Sequence, residues 1–137
     1  MKANNILKIA LILVLFSGCN EMMDCIFSVK PNLPQKTFTV GKVGVAYLDE
    51  LKASVINDSR EGDYYYYFDL YGNLPDGIEI LISGRTMYFQ GTPTKTGRFN
   101  FDVSVQNESK YVDEDGDDNI CFGDDTIQKS YFITITN

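Results

Sequence analysis

The densest group of side chains that could do chemistry lies near the carboxyl end, in residues 107–125. This segment carries one basic residue, Lys110, and eight acidic residues: Glu108, Asp113, Glu114, Asp115, Asp117, Asp118, Asp124 and Asp125. Carboxylate oxygens are the ligands that hard cations prefer. The same composition is typical of a solvated loop whose only role is to keep the protein soluble. The composition alone does not separate a cation site from a solvated loop.

The order of oxygen-bearing residues in this segment is similar to an EF-hand-type calcium loop. Counted from the first aspartate, side-chain oxygens fall at loop positions 1, 3, 5, 7 and 12, which are Asp113, Asp115, Asp117, Asn119 and Asp124. Three features differ from that loop. Asp118 stands where the sharp turn requires Gly, Asp124 replaces a bidentate Glu, and the flanking residues predict strands. We expect calcium binding no tighter than about 10⁻⁴–10⁻³ M, and no other cofactor.

Four consecutive tyrosines, Tyr64 to Tyr67, form a second candidate site. Successive side chains of a β-strand point to opposite faces, so Tyr64 and Tyr66 are expected to join the core. Tyr65 and Tyr67 would then face outward and form a flat aromatic patch suited to a glycan or a protein partner. The alternative is ordinary packing against a neighbouring strand or against the preceding segment.

The first 18 residues have the pattern of an export signal. A polar start contains Lys2, Lys8 follows it, and residues 9–16 form an unbroken apolar run. This run is shorter than the roughly 20 apolar residues that a membrane-spanning helix needs. A basic start and a short apolar run that ends in small residues are typical of a secretory signal.

The sequence Ser17-Gly18-Cys19 resembles the end of the lipobox of bacterial lipoproteins. In that motif, small side chains let a peptidase cut before the Cys, whose sulfur takes the lipid. Phe16 departs from the usual Leu, Val or Ile. The resemblance implies a signal peptide over 1–18, acyl chains such as palmitate on Cys19, and a membrane anchor. A plain secretion signal and an uncleaved anchor are the alternatives.

The charge of the processed chain and the residue after Cys19 indicate location and partners. Cleavage before Cys19 would leave 10 basic and 19 acidic residues, which disfavours nucleic acid because phosphates attract basic patches. In Gram-negative lipoproteins, an Asp after the Cys resembles an inner-membrane retention signal, so Asn20 favours the outer membrane. We expect a lipid-anchored protein of the cell envelope.

Cys25 and Cys121 are the two cysteines that remain if Cys19 carries lipid. An even pair in an exported protein is more often bonded than free, so a disulfide between them is expected. Free thiols and a bond to another chain are the alternatives.

The chain contains no His and no Trp. The absence of His excludes Ser-His-Asp and Cys-His catalysis, a His-ligated zinc site and a His-based pH switch. The paired carboxylates of the acidic segment lack an obvious apolar pocket that would raise the pKa of one of them. We therefore expect no catalytic residues and no enzymatic activity.

The elements that position these residues are predicted to be strands. After a tether over 19–35, part of which is expected to pack on the domain or lie near the membrane, short runs of β-forming residues alternate with turns. Seven to eight short antiparallel strands over 36–137, with an acidic insert at 107–125, fit an all-β, Ig-like sandwich. The predicted strands cover 37–40, 43–47, 51–56, 64–70, 78–82, 86–90, 98–106 and 127–136.

Two turns of this domain carry a family resemblance. Leu74-Pro75-Asp76-Gly77 precedes one short predicted strand, and Gly91-Thr92-Pro93 follows the next one. At this spacing they resemble the bacterial Ig-like, or cadherin-like, modules of surface proteins. The resemblance implies a binding, spacing or adhesion module without catalytic residues. From the residues themselves, Pro75 is expected at the first corner of its turn and Gly77 at a positive φ.

The expected function is a membrane-anchored, non-catalytic binding or adhesion domain with a glycan or envelope protein as partner. The alternative is a structural envelope lipoprotein that docks to a protein complex, with or without calcium in the acidic loop. Ligand binding through Tyr65 and Tyr67 would favour the first function, and co-purification with envelope proteins would favour the second.

Overall fold

The computed structural model describes residues 29–111 and 126–137. Within these residues, the helical structure is one short 3-10 helix, Glu61–Asp63. No helix in the described residues is long and apolar enough to span a membrane. The rest of the regular structure is β-strand. The strands are β1 (Lys30–Asn32), β2 (Gly41–Lys42), β3 (Tyr47–Lys52), β4 (Ser54–Ile56), β5 (Tyr64–Gly72), β6 (Ile78–Ser83), β7 (Thr86–Gly91), β8 (Gly97–Ser109) and β9 (Thr126–Thr136).

The strands form two packed layers with the order of an Ig domain. One sheet has the order β2-β9-β8-β5, a second has the order β3-β7-β6, and β1 pairs with β4. β4 follows β3 after a single residue, Ala53. The strands β1, β3 with β4, β7 and β6 therefore correspond to strands A, B, E and D of an Ig sandwich, and β5, β8 and β9 to strands C, F and G. The predicted all-β, Ig-like fold class is confirmed.

The first two predicted strands, 37–40 and 43–47, are wrong, because of these residues only Tyr47 lies in a strand. Gly41–Lys42, predicted as a turn between two strands, is itself β2, and a turn follows it. β2 runs parallel to β9, so one strand pair is not antiparallel. A Cβ on Gly41 would lie 2.6 Å from Cδ1 of Ile135, so β2 lies close to the side chains of the core. This contact is tertiary and leaves no periodic pattern in the sequence.

Aromatic rings occupy the centre of the core. Phe89 of β7 meets Phe101 of β8 with ring centroids 5.3 Å apart, and Phe38 packs edge-on against both. The ring of Tyr131 on β9 lies 6.1 Å from that of Phe101 and 5.9 Å from that of Phe38. The rings thus join the two sheets. In antibody domains a Trp and a disulfide fill this position, whereas the described residues contain no Trp and no Cys.

The sandwich includes part of the predicted tether. β1 pairs with β4, and Leu33 is fully buried, with 0% of its surface exposed. The backbone oxygen of Leu33 accepts a hydrogen bond from Lys129 Nζ, and that of Pro34 accepts one from the Tyr131 hydroxyl at 2.8 Å. The sequence predicts that part of the tether packs on the domain or lies near the membrane, and residues 30–34 pack on the domain.

A carboxylate holds the segment between β1 and β2 against β3. Asp49 accepts hydrogen bonds from the backbone N–H groups of Thr39 and Glu50, both at 2.8 Å, and pairs with Lys36 Nζ at 2.7 Å. Burial raises the pKa of Asp49, but these hydrogen bonds outweigh burial and bring the pKa below its usual value. The charged carboxylate is therefore the form that the fold stabilises.

The two turns that carry the family resemblance lie against each other. The Thr92 N–H donates to the Gly77 oxygen at 3.0 Å, and the Thr94 N–H donates to the Asp76 oxygen at 2.9 Å. A Cβ on Gly77 would lie 2.1 Å from the Thr92 oxygen, and a Cβ on Gly91 would lie 2.1 Å from the Gly77 oxygen. The glycines of both turns are therefore required by backbone contact between the turns.

The first of these turns is shifted by one residue from the prediction. Its hydrogen bond runs from the Ile78 N–H to the Pro75 oxygen at 3.0 Å, so Asp76 and Gly77 are the corner residues. Pro75 precedes the corner and is fully buried instead. Gly77 has a φ of +90°, as its place in the turn predicts.

Candidate functional site

The predicted tyrosine site lies on β5. Among the described residues, β5 is the edge strand of the four-stranded sheet and pairs with β8 alone. Tyr66 packs against the core, whereas Tyr65 and Tyr67 are 54% and 52% exposed. The side chains alternate as the period of two predicts, but Tyr64 is only half-buried and does not belong to the core. A binding role for Tyr65 and Tyr67 stays a prediction.

Charged neighbours hold both of these rings. The Tyr67 hydroxyl donates to Oε2 of Glu108 at 2.9 Å, and this contact raises the pKa of Tyr67. Lys110 Nζ lies 5.3 Å from the centre of the Tyr65 ring and also donates to the backbone oxygen of Gly62 at 2.6 Å. The Tyr67 hydroxyl and one face of the Tyr65 ring are therefore already in contact with neighbours, and the rest of the two side chains is exposed.

The loop before β5 is fixed by a second charged group. Asp58 accepts hydrogen bonds from the Arg60 N–H at 2.8 Å and from the Tyr64 hydroxyl at 2.7 Å, which lower its pKa to about 2. Burial and the same hydrogen bond raise the pKa of Tyr64 to about 12. Arg85 also forms an ion pair with Glu61 in this loop. These contacts position the start of β5 and with it the tyrosines.

A third tyrosine, Tyr71, lies on the same face of β5 and is 56% exposed. It is missing from the predicted site because the predicted strand ends at Leu70, whereas β5 continues to Gly72. If the predicted strand had been extended past Leu70, the alternation of side chains would have placed Tyr71 on the outer face as well. Within the described residues, the Tyr71 side chain takes part in no hydrogen bond or ion pair.

A shallow, open depression of about 220 Å³ lies beside Tyr71. The other residues that line it are Gly72, Asn100, Phe101 and Asp102. Gly72 has a φ of +110°, and a Cβ there would lie 2.9 Å from the Asn100 oxygen. This position therefore requires glycine, because a Cβ would strike the backbone of β8.

Polar side chains of β8 border the depression. Asp102 lies directly opposite Tyr71, and its Oδ2 accepts a hydrogen bond from Gln128 Nε2 at 3.2 Å. Asn100 is the next residue along β8 with the same orientation, and its side-chain amide has no hydrogen-bond partner among the described residues. The depression thus combines an exposed ring with an amide and a carboxylate that keep unused bonding capacity.

An arginine precedes Asn100 and Asp102, the two polar residues of β8 that border the depression. Arg98, two residues before Asn100 on β8, places its guanidinium carbon 3.6 Å from the centre of the Phe132 ring on β9. Phe132 is directly opposite Asn100. The guanidinium lies over one face of this ring, and Phe132 is 37% exposed, less than the 56% of Tyr71.

The other predicted site residues lie outside the described ranges. They are the lipidation residue Cys19, the disulfide candidates Cys25 and Cys121, and the calcium candidates Asp113, Asp115, Asp117, Asn119 and Asp124. All three of these site assignments stay predictions. Within residues 29–111 and 126–137, no three His, Cys, Asp or Glu side chains are grouped as ligands for a metal ion.

Comparisons with known proteins give structural similarity only. No family model and no curated protein matches the sequence. An endo-fucoidan hydrolase of glycoside hydrolase family 107 is 17% identical, with a TM-score of 0.49 over 79% of this chain and 17% of the hydrolase. Titin domain M7 is 12% identical, with a TM-score of 0.46 over 80% of this chain and 97% of that domain. The Ig-like assignment itself rests on the strand order of this chain.

Proposed function

We propose that this chain is a lipid-anchored, non-catalytic binding domain of a bacterial cell envelope. The observation that carries the proposal is the line of three exposed tyrosines on one strand, Tyr65, Tyr67 and Tyr71. Tyrosine is enriched at binding interfaces because its ring buries a large area while its hydroxyl finds a polar partner. The Ig-like sandwich supports these rings on a hydrogen-bonded sheet, so binding needs little rearrangement of the backbone.

The length of chain before β1 supports a position close to the membrane. Ten residues separate Cys19 from Lys30, the first residue of β1. Even fully extended, ten residues span at most about 35 Å. A domain held within this distance of a lipid on Cys19 would meet ligands at or near the membrane surface.

The anchor is tested by Cys19→Ser in the full chain. We expect the variant to lose lipid labelling and either to leave the membrane fraction or to accumulate unprocessed, because no sulfur remains to be acylated. Cys25→Ser is the matched control, since it also replaces a cysteine but should keep the lipid. Mass spectrometry that finds an unmodified Cys19 in the mature wild-type protein would refute the anchor.

The binding patch is tested by the double variant Tyr65→Ala/Tyr67→Ala. We expect wild-type protein to bind on a glycan array or to capture an envelope component in a pull-down from membranes, and the double variant to bind at least about tenfold more weakly. Leu48→Ala is the control, because Leu48 is 68% exposed on the other sheet. Equal binding by the double variant and the wild type would exclude these two rings from the interface.

A structural envelope lipoprotein that docks to a protein complex is the second candidate function. The observation that favours it is on the outer face of the three-stranded sheet, where Leu48 and Leu81 are 68% and 51% exposed. Leu48 lies opposite Gln90 and Leu81 lies opposite Tyr88, so both point to the same side. If this function is correct, Leu48→Ala rather than the tyrosine variant would reduce capture of the envelope component.

A further inference from the structure

We infer that the depression beside Tyr71 is a saccharide subsite, in which one sugar ring of a neutral polysaccharide stacks on Tyr71 and bonds to Asn100 and Asp102. The inference rests on the proposed binding function and names the class of ligand. It also extends the site from Tyr65 and Tyr67, which the sequence predicts, to the other end of β5.

The shape of the depression suits one ring of a longer chain. Its volume of about 220 Å³ is below the roughly 300–1,000 Å³ of pockets that enclose a whole drug-sized ligand. The depression opens on the outer face of the sheet, so a polymer could extend beyond it over the surface. A single stacked ring with the rest of the chain outside is the arrangement that this shape allows.

The chemistry of the lining suits a ring that is apolar on its faces and rich in hydroxyl groups at its rim. Tyr71 is 56% exposed and offers a free aromatic face for the apolar side of a sugar. The Asn100 amide can both donate to and accept from hydroxyl groups. Gln128 bonds to Oδ2 of Asp102, which leaves Oδ1 of that carboxylate for a hydroxyl donor. One aromatic face and two planar polar groups thus converge on the same depression.

The charges around the depression favour a neutral ligand. Asp102 lines it, and Asp69 points outward from β5 two residues before Tyr71. Arg98 is the nearby base, and its guanidinium lies on the Phe132 ring. An anionic polysaccharide would meet two carboxylates at close range, which costs affinity because like charges repel.

Tyr65 and Tyr67 are weaker candidates for the same role. The Tyr67 hydroxyl is bonded to Glu108, and Lys110 lies over the Tyr65 ring. A sugar that stacked on Tyr65 would have to displace the ammonium group or approach from the opposite side. Tyr71 has no such neighbour among the described residues.

The test is affinity electrophoresis of the full chain, purified in a detergent without a sugar headgroup. The native gels contain dextran, glucomannan, galactomannan or xyloglucan as neutral probes, and dextran sulfate as the anionic probe. We expect at least one neutral probe to retard the wild type, and Tyr71→Ala to weaken this binding at least about tenfold. Tyr71→Phe keeps the ring and should bind within about threefold of the wild type. Ile56→Ala, which shortens a side chain that is 45% exposed on β4 in the other layer, should bind like the wild type.

Each outcome decides the inference. Loss of retardation in Tyr71→Ala, with binding retained in Tyr71→Phe and Ile56→Ala, supports the subsite, provided that circular dichroism shows the variant folded. Loss in Tyr65→Ala but not in Tyr71→Ala overturns the subsite and leaves the proposed binding function intact. Absence of retardation by every neutral probe also overturns it. In that case, retardation by dextran sulfate or tyrosine-dependent capture of an envelope protein would still support a binding domain with a different ligand.

Discussion

Replacing Gly77 with Ala is expected to lower the free energy of unfolding by about 3 kcal/mol, which corresponds to a fall in Tm of roughly 10–20 °C. Two effects add. Gly77 has a φ of +90°, which an L side chain rarely adopts, and the new Cβ would lie 2.1 Å from the Thr92 oxygen. The neighbour in this contact is backbone, so the second turn must move as a whole. Urea and thermal denaturation of the soluble domain measure the loss.

Substitutions at two other glycines distinguish the effect of the positive φ from the effect of the close contact. Gly84 has a φ of +56° but has no atom within 4 Å of an added Cβ, so Gly84→Ala should lose only about 1 kcal/mol for the backbone conformation. Gly62 has neither a positive φ nor a close neighbour, and Gly62→Ala should have almost no effect. If Gly77→Ala and Gly84→Ala lose the same stability, contact between the turns contributes nothing and this account of the motif is wrong.

The same glycines show which part of the fold the sequence predicts. Turn residues act locally, so the turn before β6 and the positive φ of Gly77 could be predicted from spacing alone. That Gly77 lies against Thr92 of the second turn depends on how β6 and β7 pair, and no local pattern contains that information. The packing of the two turns at one end of the sandwich thus explains the motif that resembles bacterial Ig-like modules. The tyrosine surface takes no part in this packing.

The candidate site was predictable to the extent that it depends on alternation. The period of two places Tyr65 and Tyr67 on the outer face because each strand has only two faces. The end of β5 is different, since β8 pairs with β5 as far as Gly72, opposite Phe101. The partner strand therefore sets the length of β5, and Tyr71 with its depression becomes visible only when that pairing is known.

The start of the domain shows a similar dependence on a partner. β1 has three residues and contains Pro31, which propensity places outside sheets. Pro31 is tolerated because β1 pairs with β4 alone among the described residues, so the side without an N–H group lies at an edge. A pattern of three residues is too short for a period to be recognised, and the burial of Leu33 has no signature in the sequence.

Leu33→Ala is therefore expected to lower the free energy of unfolding by about 3 kcal/mol, within the usual range for a buried leucine. Leu33 has 0% of its surface exposed and belongs to the core cluster, so the change leaves a cavity between the sheets. The matched control is Leu48→Ala, which removes the same atoms from a side chain that is 68% exposed and should change stability by less than about 0.5 kcal/mol. Urea denaturation of both variants gives the comparison.

A shortened domain provides an independent check on the same assignment. A fragment of residues 36–137 lacks β1, Leu33 and the backbone oxygens that accept hydrogen bonds from Lys129 and Tyr131. Both donors would then face the exposed core without partners, and each unsatisfied polar group costs about 1–3 kcal/mol if it stays buried. We expect this fragment to melt well below residues 29–137, and below Leu33→Ala. Equal melting temperatures for the two fragments would show that residues 29–35 are a tether after all, and Leu33→Ala would then have to be neutral as well.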